Sequence, residues 1–132
     1  MAAKKKVAAP GLCVQGGPDI QVMGLRVKSS DVIDISAWAC GTSADIRVVV
    51  ADANGREQEI ANQQGSSNVV ATLPGLPSGS YVLLWSFINV STPWQTRVDA
   101  VVNGTDRFRQ RKNSAASKNP FLRGFLLLEV VP

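Results

Sequence analysis

The chain has 132 residues, 45% of them hydrophobic, with a formal net charge of +4. This length fits one domain with a core of its own, and the composition excludes a disordered chain. Histidine is absent from the sequence, which removes the commonest general base and the commonest metal ligand from consideration. The positive charge is concentrated in residues 4–6 and 104–124, and the remainder of the chain is acidic.

Residues 1–18 combine lysines with alanine, glycine and proline and have no hydrophobic periodicity. We predict a flexible basic tail over 1–18 and a single β-sandwich domain over 19–132. The tail holds a short run of three lysines, Lys4, Lys5 and Lys6. We expect this run to make the terminus soluble; the alternative is that it contacts nucleic acid or an anionic surface.

No apolar segment of a secretory signal follows the lysines, and no stretch reaches the roughly 18 apolar residues of a membrane helix. We therefore expect a cytoplasmic protein without a membrane span. Cys13 and Cys40 are then expected as reduced thiols, with a Cys13–Cys40 disulfide as the alternative.

Hydrophobic residues alternate with polar ones through most of the remaining chain, and no segment has the period of a helix. Asn54-Gly55 and Asn103-Gly104 are both typical of type I′ hairpin turns. Gly124 interrupts the last apolar run and indicates a β-bulge. The alternation predicts strands over residues 19–28, 32–40, 45–52, 56–61, 80–88, 94–102, 105–112 and 121–131.

Residues 80–88 form the most hydrophobic continuous run, which predicts a strand in the middle of a sheet. A short apolar run at 69–71 predicts a strand before it, and residues 73–79 between them hold two prolines and two glycines, which break any regular element. The pattern as a whole predicts an all-β fold, an antiparallel β-sandwich of about seven to eight strands, immunoglobulin-like or jelly-roll-like.

The sequence LPSGSYVL at residues 76–83 resembles the Leu-Pro-x-Gly-x-Tyr corner of immunoglobulin-like and Cna-B-type β-sandwich modules. The resemblance implies that Pro77 and Gly79 make a bend and that Tyr81 packs inward, with its hydroxyl bonded to the backbone of the corner. It carries no catalytic residue, and the Cys–Trp–Cys framework of immunoglobulins is absent around Trp38. The resemblance therefore concerns architecture and not function.

Carboxylates are the remaining candidates for chemistry. Two pairs are candidates for acid–base catalysis, Asp31 with Asp34 and Asp45 with Asp52. The candidate calcium ligands are Asp45, Asp52 and Asn54. Turn formation explains these residues better, because Asp and Asn are favoured in turns. We predict no catalytic residue, no metal, no cofactor and no enzymatic activity.

The basic strand 107–112 is the candidate anion-binding element. Arg107, Arg109 and Arg111 are expected to project from one face, where arginine can bind phosphates, sulfated sugars or an acidic partner. The alternative is an edge strand that carries charge to prevent aggregation. The other candidates for binding an anion or a partner are Lys112 and Lys118. Phe108 and Trp94 are candidate aromatic residues for contact with a ligand or at an interface. For Trp94 the alternative is that it packs at the end of the sandwich core.

Residues 81–88 and 125–131 are apolar on both faces, although a sandwich strand needs only one apolar face. The second face would be exposed in a monomer, so we predict a homo-oligomer or a complex with a protein partner, with sheet edges or the region of Trp94 in the contact. The leading interpretation is a non-enzymatic interaction or assembly module. The first alternative is a protein that binds nucleic acid or an acidic glycan through residues 107–112. A second is a monomer in which Leu12 and Val14 cover the apolar face.

Overall fold

The computed structural model describes residues 17–90, 95–113 and 121–132. These residues form two β-sheets and no helix, which confirms the all-β prediction. The described residues contain nine strands, whereas the predicted number was about seven to eight. The short apolar run at 69–71, which was predicted as a strand, pairs with residues 35–37. The strands are β1 (Gly24–Lys28), β2 (Ile33–Cys40), β3 (Ala44–Asp52), β4 (Glu57–Ser66), β5 (Asn68–Thr72), β6 (Gly79–Ile88), β7 (Gln95–Val102), β8 (Thr105–Asn113) and β9 (Phe121–Val131).

The five-stranded sheet has the order β1-β9-β6-β3-β4, and the four-stranded sheet has the order β5-β2-β7-β8. Strand β6 lies in the middle of the larger sheet, as its continuous hydrophobic run predicts. The β9–β1 pair is parallel, whereas the other strand pairs are antiparallel. A wholly antiparallel architecture was therefore the wrong expectation, because residue alternation does not record the direction of a neighbouring strand.

One hydrophobic cluster receives side chains from both sheets. The inward-facing side chains of the central strands come from the larger sheet. The smaller sheet contributes Ile35 on β2, which is fully buried. Trp85 and Phe108 belong to the same cluster, with ring centroids 5.7 Å apart. The largest fully buried side chains are Phe87, Ile35, Ile46, Leu83, Leu126 and Val48.

The two Asn-Gly turns differ in conformation. Asn103 and Gly104 have φ values of 50° and 83°, as a type I′ turn requires. At the β3–β4 hairpin only Gly55 has a positive φ, so the type I′ prediction was wrong there. The Asp52 carboxylate accepts hydrogen bonds from the backbone N–H groups of Asn54 and Arg56, which stabilises a three-residue loop with glycine in the left-handed position.

Gly124 does not mark a bulge, because β9 and β6 pair in unbroken register from Phe121 to Val130. It lies opposite Trp85, and a Cβ atom at residue 124 would lie 2.6 Å from the indole Nε1. The glycine therefore provides space for a buried tryptophan.

Cys40, the last residue of β2, is disulfide-bonded. This corrects the expectation of a reduced thiol at residue 40. The other cysteine of the chain, Cys13, lies outside the described residues.

Tyr81 occupies the position that the corner motif implies. Its ring is half-buried against the core, and its hydroxyl donates a hydrogen bond of 2.6 Å to the Pro77 carbonyl. We expect Tyr81→Phe to lower the free energy of unfolding by about 1 kcal/mol, the net value of one hydrogen bond. Denaturant unfolding of this variant, with Ser80→Ala as an exposed neighbouring control, measures the loss. A Tyr81→Phe variant as stable as the control would contradict this role for the hydroxyl.

Candidate interaction surface

The outer face of the five-stranded sheet carries a group of apolar side chains across β9, β6 and β3. Phe125 and Leu127 on β9 are 62% and 44% exposed. In one row, strand pairing places Phe125 beside Leu84 and Leu84 beside Val49. In the next row it places Leu127 beside Val82 and Val82 beside Ala51. Two adjacent rows of apolar residues therefore cross three strands. We call this set the apolar face; it consists of Phe125, Leu84 and Val49 in one row and Leu127, Val82 and Ala51 in the other. Val49 is only 3% exposed, so the exposed part of the face lies mainly on β9 and β6.

Charged side chains border the apolar face at both ends. Arg123 and Arg47 lie beyond the Phe125 row, and Glu129 lies beyond the Leu127 row beside Arg26. Glu129 and Arg26 form an exposed ion pair with a distance of 3.8 Å. An apolar centre within a charged rim is the arrangement found in protein–protein interfaces.

Strand β4 borders the apolar face on the side of β3. The Arg47 guanidinium donates a hydrogen bond to Glu59, and this bond is the main reason that the pKa of Glu59 lies below its usual range. Both side chains are more than two-fifths exposed, so the pair contributes little to stability. Its effect is to neutralise the rim beside Val49.

Two grooves flank the most exposed side chains of the apolar face. The first has a volume of about 550 Å³ and is lined by residues that include Gly24, Arg26, Val82, Leu127 and Glu129. The second has a volume of about 300 Å³ and lies at the Arg123 end. A Cβ atom at residue 24 would lie 3.0 Å from Leu127 Cβ, so glycine at this position keeps the first groove open.

The predicted row of exposed arginines is not present on β8. A register shift opposite Ala100 and Val101 leaves Arg107 as an extra residue of a β-bulge. Arg107 is exposed, whereas Arg109 is only 3% exposed. Sequence alternation missed the bulge because the polar residues continue through it.

Arg109 is buried because it belongs to a network of charged side chains on the outer face of the four-stranded sheet. Its Nε donates to Asp99 at 3.1 Å and its Nη2 to Asp106 at 2.8 Å. Asp99, which is 5% exposed, also accepts bonds of 3.0 Å and 2.7 Å from Arg97. The Arg97 guanidinium carbon lies 5.5 Å from the centre of the Trp38 ring.

This network was not identified from the sequence. The signal in the sequence was an Arg-x-Asp pair on β7 opposite an Arg-x-Arg pair on β8. Strand pairing places Asp99 directly opposite Arg109 and Arg97 opposite Arg111. Cross-strand pairs of opposite charge attract each other, but the sequence does not show that β7 and β8 carry them out of solvent.

Arg111 and Arg109 hold the chain segment that precedes β1. Arg111 Nη1 donates to the Asp19 carboxylate at 2.8 Å and its Nη2 to the Gly17 carbonyl, while Arg109 Nη1 donates to the Pro18 carbonyl. Ile20 and Arg109 exchange backbone hydrogen bonds of 3.0 Å and 3.2 Å. The described start of the chain is therefore bound at the β8 edge.

The other predicted binding residues are dispersed. Phe108 faces the core and is buried against Trp85, so the prediction that it is an interface aromatic is wrong. Lys112 is exposed near the end of β8. Trp94 and Lys118 lie outside the described residues.

The aspartates considered for catalysis or calcium binding accept hydrogen bonds that support the fold. Asp34 accepts from Thr72, Asp45 from Asn89, and Asp52 from its own turn. The backbone N–H of Lys28 and then the Asn103 side chain lower the pKa of Asp31, with smaller contributions from the charges of Lys28 and Arg107. Over residues 17–90, 95–113 and 121–132, no group of three or more acidic or cysteine side chains is arranged to hold a metal ion.

Among the described residues, no helix has the length and apolar character needed to cross a membrane. No family model matches the chain, and no curated protein matches its sequence.

Proposed function

We propose that this chain is a non-enzymatic interaction module that assembles with copies of itself through the apolar face. The observation that carries the proposal is the exposure of Phe125 and Leu127, which form the β9 end of two apolar rows. Exposing such a group of side chains is unfavourable, because burial of apolar surface yields about 25 cal/mol per Å². Contiguous exposed apolar patches mark interaction sites in soluble proteins.

The proposed architecture is a β-sandwich, immunoglobulin-like or jelly-roll-like, in which the two sheets pack face to face. The core shared by the sheets and the Tyr81 hydrogen bond at the corner support it. In a sandwich the outer face of each sheet meets solvent. The outer face of the larger sheet is therefore available to a partner.

Binding of nucleic acid or an acidic glycan through residues 107–112 has less support. Arg109 is buried between aspartates, and Arg111 is bonded to Asp19, so their charges are largely compensated. Arg107 and Lys112 remain exposed, which is a small charge for an anion site. The alternative and the cytoplasmic location both stay predictions from the sequence.

We expect the protein to self-associate at concentrations on the order of tens of micromolar, and Phe125→Ser or Leu127→Ser to shift it to monomer, because each change removes apolar surface from the contact. Sedimentation equilibrium or light scattering over a concentration series measures the shift. The matched control is Val70→Ser, since Val70 is 66% exposed on the outer face of the other sheet. A protein that is monomeric over the whole series would refute self-assembly, and so would a Val70→Ser variant with the same effect as Phe125→Ser.

A further inference from the structure

We infer that the partner on the apolar face is a second copy of this chain, bound face to face about a two-fold axis that runs across the strands. In this arrangement Phe125 of each copy contacts Leu127 of the other and enters the groove beside it. The inference rests on the proposed function, which concerns assembly in general, and adds the orientation and the contacts.

The shape of the surface supports this arrangement. Phe125 is the most exposed side chain of the apolar face, and the groove of about 550 Å³ begins one row away at Leu127 and Val82. A two-fold axis between the two rows exchanges them, so that each Phe125 faces the Leu127 row of the other copy. The same contact then forms twice, as an interface between identical copies requires.

The charges at the two ends select the direction of the axis. An axis across the strands keeps β9 over β9 and reverses its direction, which places Arg123 opposite Glu129 of the second copy. An axis along the strands through β6 instead places β9 over β3, and Arg123 opposite Arg47 of the second copy. Glu59 already compensates the charge of Arg47, so the axis along the strands gains no attractive contact there. The axis across the strands gains two Arg123–Glu129 contacts and is therefore preferred.

The path of the chain before β1 bears on the identity of the occupant. Gly17 and Pro18 are bound by Arg111 and Arg109 on the other sheet. The first described residues of the chain therefore lie away from the apolar face, which favours a second copy over the N-terminal segment as its occupant.

Charge reversal at the two ends tests the orientation. We expect Arg123→Glu and Glu129→Arg each to weaken dimerisation by about tenfold or more, because each replaces two attractive pairs with two repulsive ones. The double variant carries both reversals and restores opposite charges across the axis, so its dissociation constant should lie between those of the single variants and that of the original protein. Recovery is incomplete because Glu129→Arg also breaks the exposed pair with Arg26. Lys112→Glu, an exposed reversal on the other sheet, is the control and should leave dimerisation unchanged.

The outcomes separate this inference from the proposed function. If Arg123→Glu strengthens the dimer, the axis runs along the strands, and the inference fails while self-assembly stands. Both single variants could weaken the dimer while the double variant, with an unchanged melting temperature, binds no more tightly than they do. That result would refute the Arg123–Glu129 contact. If the original protein does not dimerise, the proposed function fails first.

Discussion

Replacing Asp99 with alanine is expected to lower the free energy of unfolding by about 3–5 kcal/mol, as for removal of one partner from a buried ion pair. Asp99 is 5% exposed and accepts hydrogen bonds from both Arg97 and Arg109, which are themselves buried. Without the carboxylate, two guanidinium groups would face each other with the charge between them removed. Asp106 compensates only Arg109, and it is about half exposed.

Chemical denaturation of Asp99→Ala and Asp99→Asn measures this effect. The asparagine variant keeps the shape of the side chain and should still lose most of the stability, because the negative charge is what the two arginines require. Arg47→Ala is the control, since it breaks an exposed pair with Glu59 and should cost at most about 1 kcal/mol. A loss at Asp99 no larger than that of the control would mean that solvent screens the network.

Replacing Gly124 with alanine is expected to cost about 1–3 kcal/mol, the usual range for overpacking a core. The added Cβ would lie 2.6 Å from Nε1, 2.7 Å from Cε2 and 2.8 Å from Cζ2 of Trp85. The indole is rigid and buried, so it cannot move aside without displacing its neighbours, among them Phe108.

Thermal or denaturant unfolding of Gly124→Ala measures this loss. Gly75→Ala is a matched control, because a Cβ at that position would meet no atom within 4 Å. The control should stay within about 0.5 kcal/mol of the original protein. In a Trp85→Leu background, the Gly124→Ala change should cost less than it does alone, since the clash is removed. An equal cost in both backgrounds would contradict the role assigned to Gly124.

Local rules in the sequence were sufficient to predict much of the fold. The period of two gave the all-β class, because alternate residues of a strand point to opposite faces. The continuous apolar run at 80–88 placed β6 within a sheet, and the proline- and glycine-rich segment before it predicted the corner at which Tyr81 bonds to Pro77. Residues 125–131 carried apolar side chains on both faces, and the outward set includes the exposed Phe125 and Leu127.

Other features depended on contacts between distant segments, which alternation does not encode. The parallel pairing of β9 with β1 and the bulge at Arg107 arise from how strands meet in space. Gly124 looked like a bulge, but its reason is a tryptophan 39 positions earlier in the chain that lies opposite it in the sheet. A glycine has the same appearance in the sequence whether it permits a turn or makes room for a side chain.

The sequence by itself determined the strand-rich class, the corner and the presence of a surplus apolar face, because each follows from the chemistry of neighbouring residues. Only the tertiary structure decided which charges reach solvent. Arg109 has the sequence context of an exposed strand residue, yet pairing of β8 with β7 places it against Asp99, and the carboxylate compensates its charge in a buried position. The free energy of a charged group depends on its partner and its solvation, and both are properties of the folded chain.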